Sequence, residues 1–375
     1  MNTQPIRILH VIGIMNRGGA ETMIMNLYRH IDRDKVQFDF VENDDGPAAF
    51  DQEIVSLGGK IYHCPRYNGK NHLHYKKWWN EFWKEHYREY SAVHGHIGST
   101  AAIYLGVAKR YGVYTIAHSH GRYGKSSLRQ IAYRTLAYRT RYIADFFFSC
   151  SNEAGTDRFG KKAAADHTRY RLLNNAIDTR QFRYDSAIRS EKRKELGFPA
   201  ESCVIGHVGR FDKAKNQSYL LDIFREVVEL DKNARLLLVG EGPLWKEVQE
   251  KAAQMQLSDR ITFTGIRSDV PELMQAMDLL VFPSKNEGLP VTLVEAQTAG
   301  LPCVISDTIP ADSIITNDLV TVESLEASPK EWALHVLRRK DELRRDHSGE
   351  VTAAGFDIRE NAKWLEEFYL EKSKQ

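Results

Sequence analysis

Short apolar runs alternate along this chain with longer stretches whose apolar positions recur at helical spacing. The first run, residues 6–14, ends in Asn16-Arg17-Gly18-Gly19. It gives way to residues 20–30, where Met23, Ile24, Leu27 and Tyr28 share one helical face. Strand, glycine loop and helix in this order predict the opening of a nucleotide-binding α/β unit. Further strands are predicted at 36–41, 60–63, 92–96, 114–118 and 143–150, with helices around 76–90 and 100–111. The pattern breaks between 177 and 202, where 180–193 is charged and Gly197-Phe198-Pro199 is turn-like, which predicts an interdomain linker. A second series follows, with strands at 204–209, 234–240, 261–265, 279–283 and 302–306 and a helix in each interval. Beyond Pro310 the periodicity weakens until a last helix near 359–371. The expectation is an α/β chain of two Rossmann-like domains, 1–178 and 179–358, with parallel sheets facing a cleft. In open α/β sheets ligands bind outside the carboxyl ends of the strands, so the residues just after each strand carry the candidate chemistry.

Length and composition agree with this division and narrow the class. A chain of 375 residues has material for two cores. Gly and Pro together are under a tenth of it, which excludes collagen-like and low-complexity chains. The net charge of +2 conceals an asymmetry: residues 1–180 carry +9 and residues 181–375 carry −7. The first half is therefore expected to meet an anionic partner, with nucleic acid, a membrane surface and a phosphorylated substrate as candidates. The four cysteines are scattered with no CxxC pair, which fits a reducing compartment. Arg7 and His10 interrupt the first apolar run, and no stretch approaches the roughly 20 apolar residues of a membrane span. A cytoplasmic location follows as the expectation.

Three loops carry candidate chemistry. Gly18-Gly19-Ala20-Glu21 allows close backbone approach to a phosphate at a helix N-terminus. Gly209-Arg210-Phe211-Asp212-Lys213-Ala214-Lys215-Asn216 places a planar guanidinium and a mobile ammonium beyond a strand end, a pair suited to a diphosphate. Glu287-Gly288-Leu289-Pro290 leads into a helix that carries Glu295. That helix N-terminus can hold phosphate, while the two carboxylates can accept hydroxyl donors from a sugar and a ribose.

In this order the motifs resemble the retaining GT-B glycosyltransferases of family four, particularly bacterial enzymes of exopolysaccharide and capsule synthesis. Gly18 to Glu21 looks like the family's GGAE loop, and Arg210 with Lys215 like its donor-phosphate pair. Gly240-Glu241-Gly242-Pro243 looks like its G-x-G-P turn, and Glu287 through Glu295 matches its E-x7-E motif. Asn175-Ala176-Ile177-Asp178 departs from the family's linker turn, which has Gly second. The resemblance implies a hexosyltransferase taking a nucleotide-sugar, UDP-linked, with transfer to a glycan or polyprenyl-linked glycan. It implies donor contacts at Gly18, Gly19, Gly265, Ile266, Gly288, Leu289 and Pro290, with Arg210 and Lys215 stabilising the leaving group. Glu287 would hold the transferred sugar and Glu295 the ribose. No cofactor and no metal are implied. The first domain would bind acceptor, with Glu21 and His120 as candidate contacts, and the second would bind donor. The C-terminal segment 359–375 would pack back onto the first domain.

His118-Ser119-His120 follows a predicted strand, and the family places a histidine there beside the reacting sugar; His118 is the better match and His120 the alternative. His94-Gly95-His96 follows the preceding strand. Two such pairs also fit a metal-dependent hydrolase, a competing reading that leaves everything after residue 200 unused. A non-catalytic nucleotide- or glycan-binding protein is the other alternative, against which Arg210, Lys215 and Glu287 argue. Asp32-Arg33-Asp34 is read as a surface turn rather than a metal motif. Finally, the segment Arg122–Arg141 interleaves arginines with tyrosines, and Trp78, Trp79, Phe82 and Trp83 lie nearby in sequence. An anionic membrane surface is the expected partner, with peripheral attachment at the inner face; nucleic acid has no supporting motif.

Overall fold

The computed structural model describes residues 4–16, 18–121, 134–135 and 137–374. The chain forms two compact units, Met1–Ala176 with Ile358–Gln375, and Ile177–Asp357.

In the first unit, seven parallel strands are described: β1 (Ile6–Ile12), β2 (Val36–Glu42), β3 (Ile61–His63), β4 (Tyr90–Gly95), β5 (Tyr114–Ser119), β6 (Phe146–Ser149) and β7 (Tyr170–Leu172). Their order is β3-β2-β1-β4-β5-β6-β7, so the winding reverses between β1 and β4. Alternation along each strand splits the apolar residues between two faces. Ile8, Phe38, Phe40 and Phe148 pack beneath the helices Gly19–His30 and Ile358–Lys372, which add Leu27, Leu365 and Phe368. Leu9, Val11 and Val93 pack on the other face against Trp79, Trp83 and Tyr104 from the helices His72–His86 and Ala101–Arg110.

The second unit repeats the plan with six parallel strands: β8 (Val204–Val208), β9 (Arg235–Val239), β10 (Ile261–Phe263), β11 (Leu279–Phe282), β12 (Cys303–Ser306) and β13 (Val320–Glu323). Their order is β10-β9-β8-β11-β12-β13, which puts the reversal between β8 and β11. The strands are apolar on both sides, as a sheet sandwiched by helices requires.

Several sequence expectations change. The charged stretch predicted as a linker instead forms the helices Thr179–Phe182 and Ser186–Glu195. Asp185 caps the second through the amides of Ala187 and Ile188. Arg189 and Arg193 both reach the Asp278 carboxylate, so the charges anchor this helix to its own unit. The pattern past Pro310 resolves into β13 and the helix Pro329–Arg339, which starts at a reciprocal capping box between Ser328 and Glu331. The tryptophan cluster is core: Trp79 and Trp83 have no exposed surface, Phe82 is buried and Trp78 is half-buried, leaving no aromatic belt on that helix. His94 and His118 lie within β4 and β5 rather than after them. The predicted strand at 143–150 shortens to β6, preceded by a 3₁₀ turn at Arg139–Tyr142. Asp32 and Asp34 form a turn, in which the Asp34 amide donates to Asp32 and Lys35 pairs with Asp32. Most of the basic segment, 122–133 and 136, lies outside the described residues. The four cysteines are buried and free. Among the described residues, no helix is long and apolar enough to cross a membrane.

Candidate functional site

Each unit gathers its polar side chains at the carboxyl ends of the strands that flank its winding reversal. In the second unit, the loop after β8 turns on Asp212, whose carboxylate accepts the amides of Ala214 and Lys215. Asn216 then takes a left-handed conformation (φ 59°) and donates its side-chain amide to the Pro283 carbonyl beyond β11. The Lys285 amide donates to the Ala214 carbonyl. These bonds stitch the β8 loop to the β11 loop and bring Lys215 to Glu287, Nζ to Oε1 2.8 Å. Lys215 also lies over the Phe282 ring at 4.6 Å. Arg210 on the same loop is exposed, and its backbone carbonyl accepts from Gln217.

Two glycines let the neighbouring loop close on this one. A Cβ at Gly240 would stand 2.3 Å from the Gly209 carbonyl oxygen, and one at Gly242 would stand 2.4 Å from that of Phe211. Gly240 also donates its amide to Gly265, whose φ is +70°. Ile266 follows with most of its side chain exposed. Glu287, Gly288, Leu289 and Pro290 form the loop that enters the helix Val291–Thr298, with Pro290 at its N-cap. Glu295 sits one turn in and keeps part of its surface exposed. Desolvation pushes its carboxyl up to about 7, against the opposing pull of Lys215.

In the first unit, Gly18 caps the helix Gly19–His30. A Cβ at Gly18 would strike the Glu21 carboxylate at 2.2 Å, whereas Gly19 faces open space. Burial raises the Glu21 carboxyl above its ordinary value. Strand register assembles a group that the sequence pairs only in part. His10 on β1 lies opposite His94 on β4, and His94 lies opposite Ile116 on β5, two residues before His118. Period-two alternation then turns His10, His94, His96, His118 and His120 to one face of the sheet. The rings form two hydrogen-bonded rows. His10 Nδ1 meets His96 Nε2 at 3.0 Å, and His96 Nδ1 meets His120 Nε2 at 2.7 Å. The Tyr369 hydroxyl meets His94 Nδ1 at 2.6 Å, and His94 Nε2 meets His118 Nδ1 at 3.2 Å. Burial lowers all five pKa values, His10 to about 3 and His120 to about 4, so the rings are neutral at physiological pH. Two trios have nitrogens close enough to share a metal ion, His10 with His94 and His96, and His96 with His118 and His120.

The predicted site residues therefore divide by unit. Arg210, Lys215, Gly265, Ile266, Glu287, Gly288, Leu289, Pro290 and Glu295 lie in the second, and Gly18, Gly19, Glu21, His118 and His120 in the first. The sequence reading passed over His10 and Tyr369 as partners of the histidine pairs. The HxH spacing shows that two rings share a face, but only strand order identifies which third strand supplies another.

Comparison with known proteins follows the same division. Residues 17–181 match the profile described as Glycosyltransferase Family 4, and residues 188–338 match that of Glycosyl transferases group 1. EpsF of Bacillus subtilis (strain 168), a glycosyltransferase by name, is 37% identical over 98% of this chain and 97% of its own. The Escherichia coli UDP-Gal:alpha-D-GlcNAc-diphosphoundecaprenol alpha-1,3-galactosyltransferase is 27% identical over 61% of each chain. The crystal structure of HepE from Anabaena in complex with UDP superimposes with a TM-score of 0.72 at 19% identity, covering 99% of this chain and 98% of that one.

Proposed function

This chain belongs to the GT-B glycosyltransferases of family 4, which act in polysaccharide synthesis, and on that premise we propose that it transfers a hexose from a UDP-sugar to a lipid-linked glycan with retention of anomeric configuration. The observation that carries the donor-site assignment is the Lys215–Glu287 pair, formed where the two loops at the winding reversal meet. Without donor, each charge compensates the other. An incoming diphosphate draws Lys215 away by its greater charge, and Arg210 on the same loop offers a bidentate fork. Glu287 is thereby released to accept hydroxyls of the sugar, and Glu295 those of the ribose. As the glycosidic bond breaks, negative charge grows on the departing UDP. Arg210, Lys215 and the first-turn amides of Val291–Thr298 stabilise it, the task a metal ion performs in other transferases. The backbone at Gly265 and Ile266 is placed to meet the base. The lone pair or N–H of neutral His118 would orient a sugar hydroxyl.

The acceptor reading rests on two supports. The galactosyltransferase relative acts by name on a diphosphoundecaprenol-linked sugar. In the first unit, His72, Lys76, Arg110 and Arg139 line one surface cavity beside the exposed Tyr142, a basic and aromatic face suited to an anionic bilayer.

The decisive experiment is donor binding followed by transfer. A panel of nucleotide-sugars is screened for thermal stabilisation, since a ligand of the native state raises its stability by mass action. Lys215→Ala and Glu287→Ala should then lower the transfer rate with the selected donor by about 10²–10³-fold. Undiminished transfer by Glu287→Ala rejects the site assignment.

A further inference from the structure

We propose that His96, His118 and His120 form a binding site for a zinc-class divalent transition-metal ion, at the carboxyl ends of β4 and β5. Proton counting shows why hydrogen bonds leave this cluster incomplete. A neutral imidazole carries one N–H and one lone pair. In the row His10–His96–His120, three protons fill two internal hydrogen bonds. One end of the row therefore keeps an N–H and the other a bare lone pair. Those ends, His10 Nε2 and His120 Nδ1, are buried with no partner among the described residues. The row Tyr369–His94–His118 ends likewise at His118 Nε2, also buried and unpartnered. Each such orphan costs about 1–3 kcal/mol. A cation that accepts lone pairs answers this deficit, because coordination uses up nitrogens that have no proton to donate.

Geometry selects the trio. Its donor atoms lie within 4.8 Å of one another, with His96 and His120 already 2.7 Å apart. Zinc–nitrogen bonds of about 2.0–2.1 Å set tetrahedral ligands about 3.4 Å apart, a spacing that small side-chain rotations reach. His96 and His120 retain exposure at the strand ends, which gives an ion an entry path, whereas His10 and His94 are fully buried. Burial keeps all five rings neutral, the protonation state that ligates. The tight contacts also give the ligands a supporting layer, since His10 and His94 hold His96 and His118 in place. The site carries no carboxylate, and Arg158 lies near enough to depress the His120 pKa further. Attraction by charge is therefore unavailable. Affinity must come from imidazole coordination, which favours zinc, cobalt, nickel or copper over magnesium and calcium. The site belongs to the first unit and is separate from the Lys215–Glu287 loops of the second.

The test uses full-length, tag-free protein stripped with a chelator and titrated with Co²⁺. One saturable equivalent with a visible absorption band, displaced by Zn²⁺, is expected. X-ray absorption of the zinc form should show nitrogen ligands at about 2.0 Å. Loss of a supporting residue alone costs 10–100-fold in metal affinity, so His96→Gln and His120→Gln should each weaken binding by more than about 100-fold. Both variants are checked for native circular dichroism, and the wild-type stoichiometry and ligand set stand whatever their folding. Absence of a saturable band in folded wild-type protein overturns the proposal. So does a zinc spectrum dominated by sulfur or oxygen, or full affinity in both folded variants. The readout is binding, so its failure is distinguishable from failure of the transferase assignment.

Discussion

Glu295 shows how one carboxylate ties stability to substrate binding. Folding holds its proton up to about pH 7, whereas its ordinary value is 4.5. The folded chain thus binds more protons than the unfolded chain between these values. Stability from this group is present below about pH 4.5 and is lost as the pH rises to about 7. Only the ionised form accepts two hydroxyls, so donor affinity should rise as the pH passes through the same region. In Glu295→Gln both slopes should flatten, checked by melting temperature and by donor titration from about pH 5 to 8. A melting profile identical to that of the parent chain would remove Glu295 from this role. The motif spacing identified Glu295 in the sequence. Its altered acidity was not legible there, because desolvation depends on what packs around the helix Val291–Thr298 rather than on its neighbours in the chain.

At the scale of elements, the β8, β9 and β11 loops form one interlocked unit around Lys215. Gly240 is its tightest point, with φ at +121° and the Gly209 carbonyl where a side chain would begin. Gly240→Ala combines backbone strain with a collision against main chain, which cannot rotate away. It should cost about 2 kcal/mol or more of stability in chemical denaturation and move Lys215 out of register for donor. The G-x-G-P pattern was legible as a turn, and the close approach that requires glycine emerges only from the packing of two loops. The opposite case is 180–193, where charge density suggested a linker. Asp278 lies 85 residues from Arg193 along the chain. Its carboxylate turns that charge into a helix anchor, a long-range pairing that local composition does not encode.

For the whole molecule, the charge asymmetry is the largest feature without a residue-level site. The +9 in residues 1–180 is concentrated around Arg122–Arg141 and the basic cavity at Arg110 and Arg139. Each basic residue near an anionic bilayer contributes about 1 kcal/mol. Neutralising Arg129, Arg134 and Arg139 together should therefore weaken binding to phosphatidylserine vesicles by on the order of 100-fold, with added salt reducing the parent chain's binding in the same direction. Unchanged vesicle partitioning of the triple variant would reject the membrane surface as this region's partner.

The amino-acid sequence determined the alternation of strands and helices, the two parallel sheets and the motif loops, because each of these follows from local periodicity and turn chemistry. It could not determine which strands are neighbours. Strand order decided that Lys215 meets Glu287 across the β8–β11 reversal. It also drew His10 and Tyr369 into contact with two histidine pairs more than 80 and 270 residues away. The division has one physical cause: secondary structure depends on neighbours a few residues apart, whereas ion pairs, buried imidazole rows and shifted acidities depend on distances in space that only the folded sheet establishes.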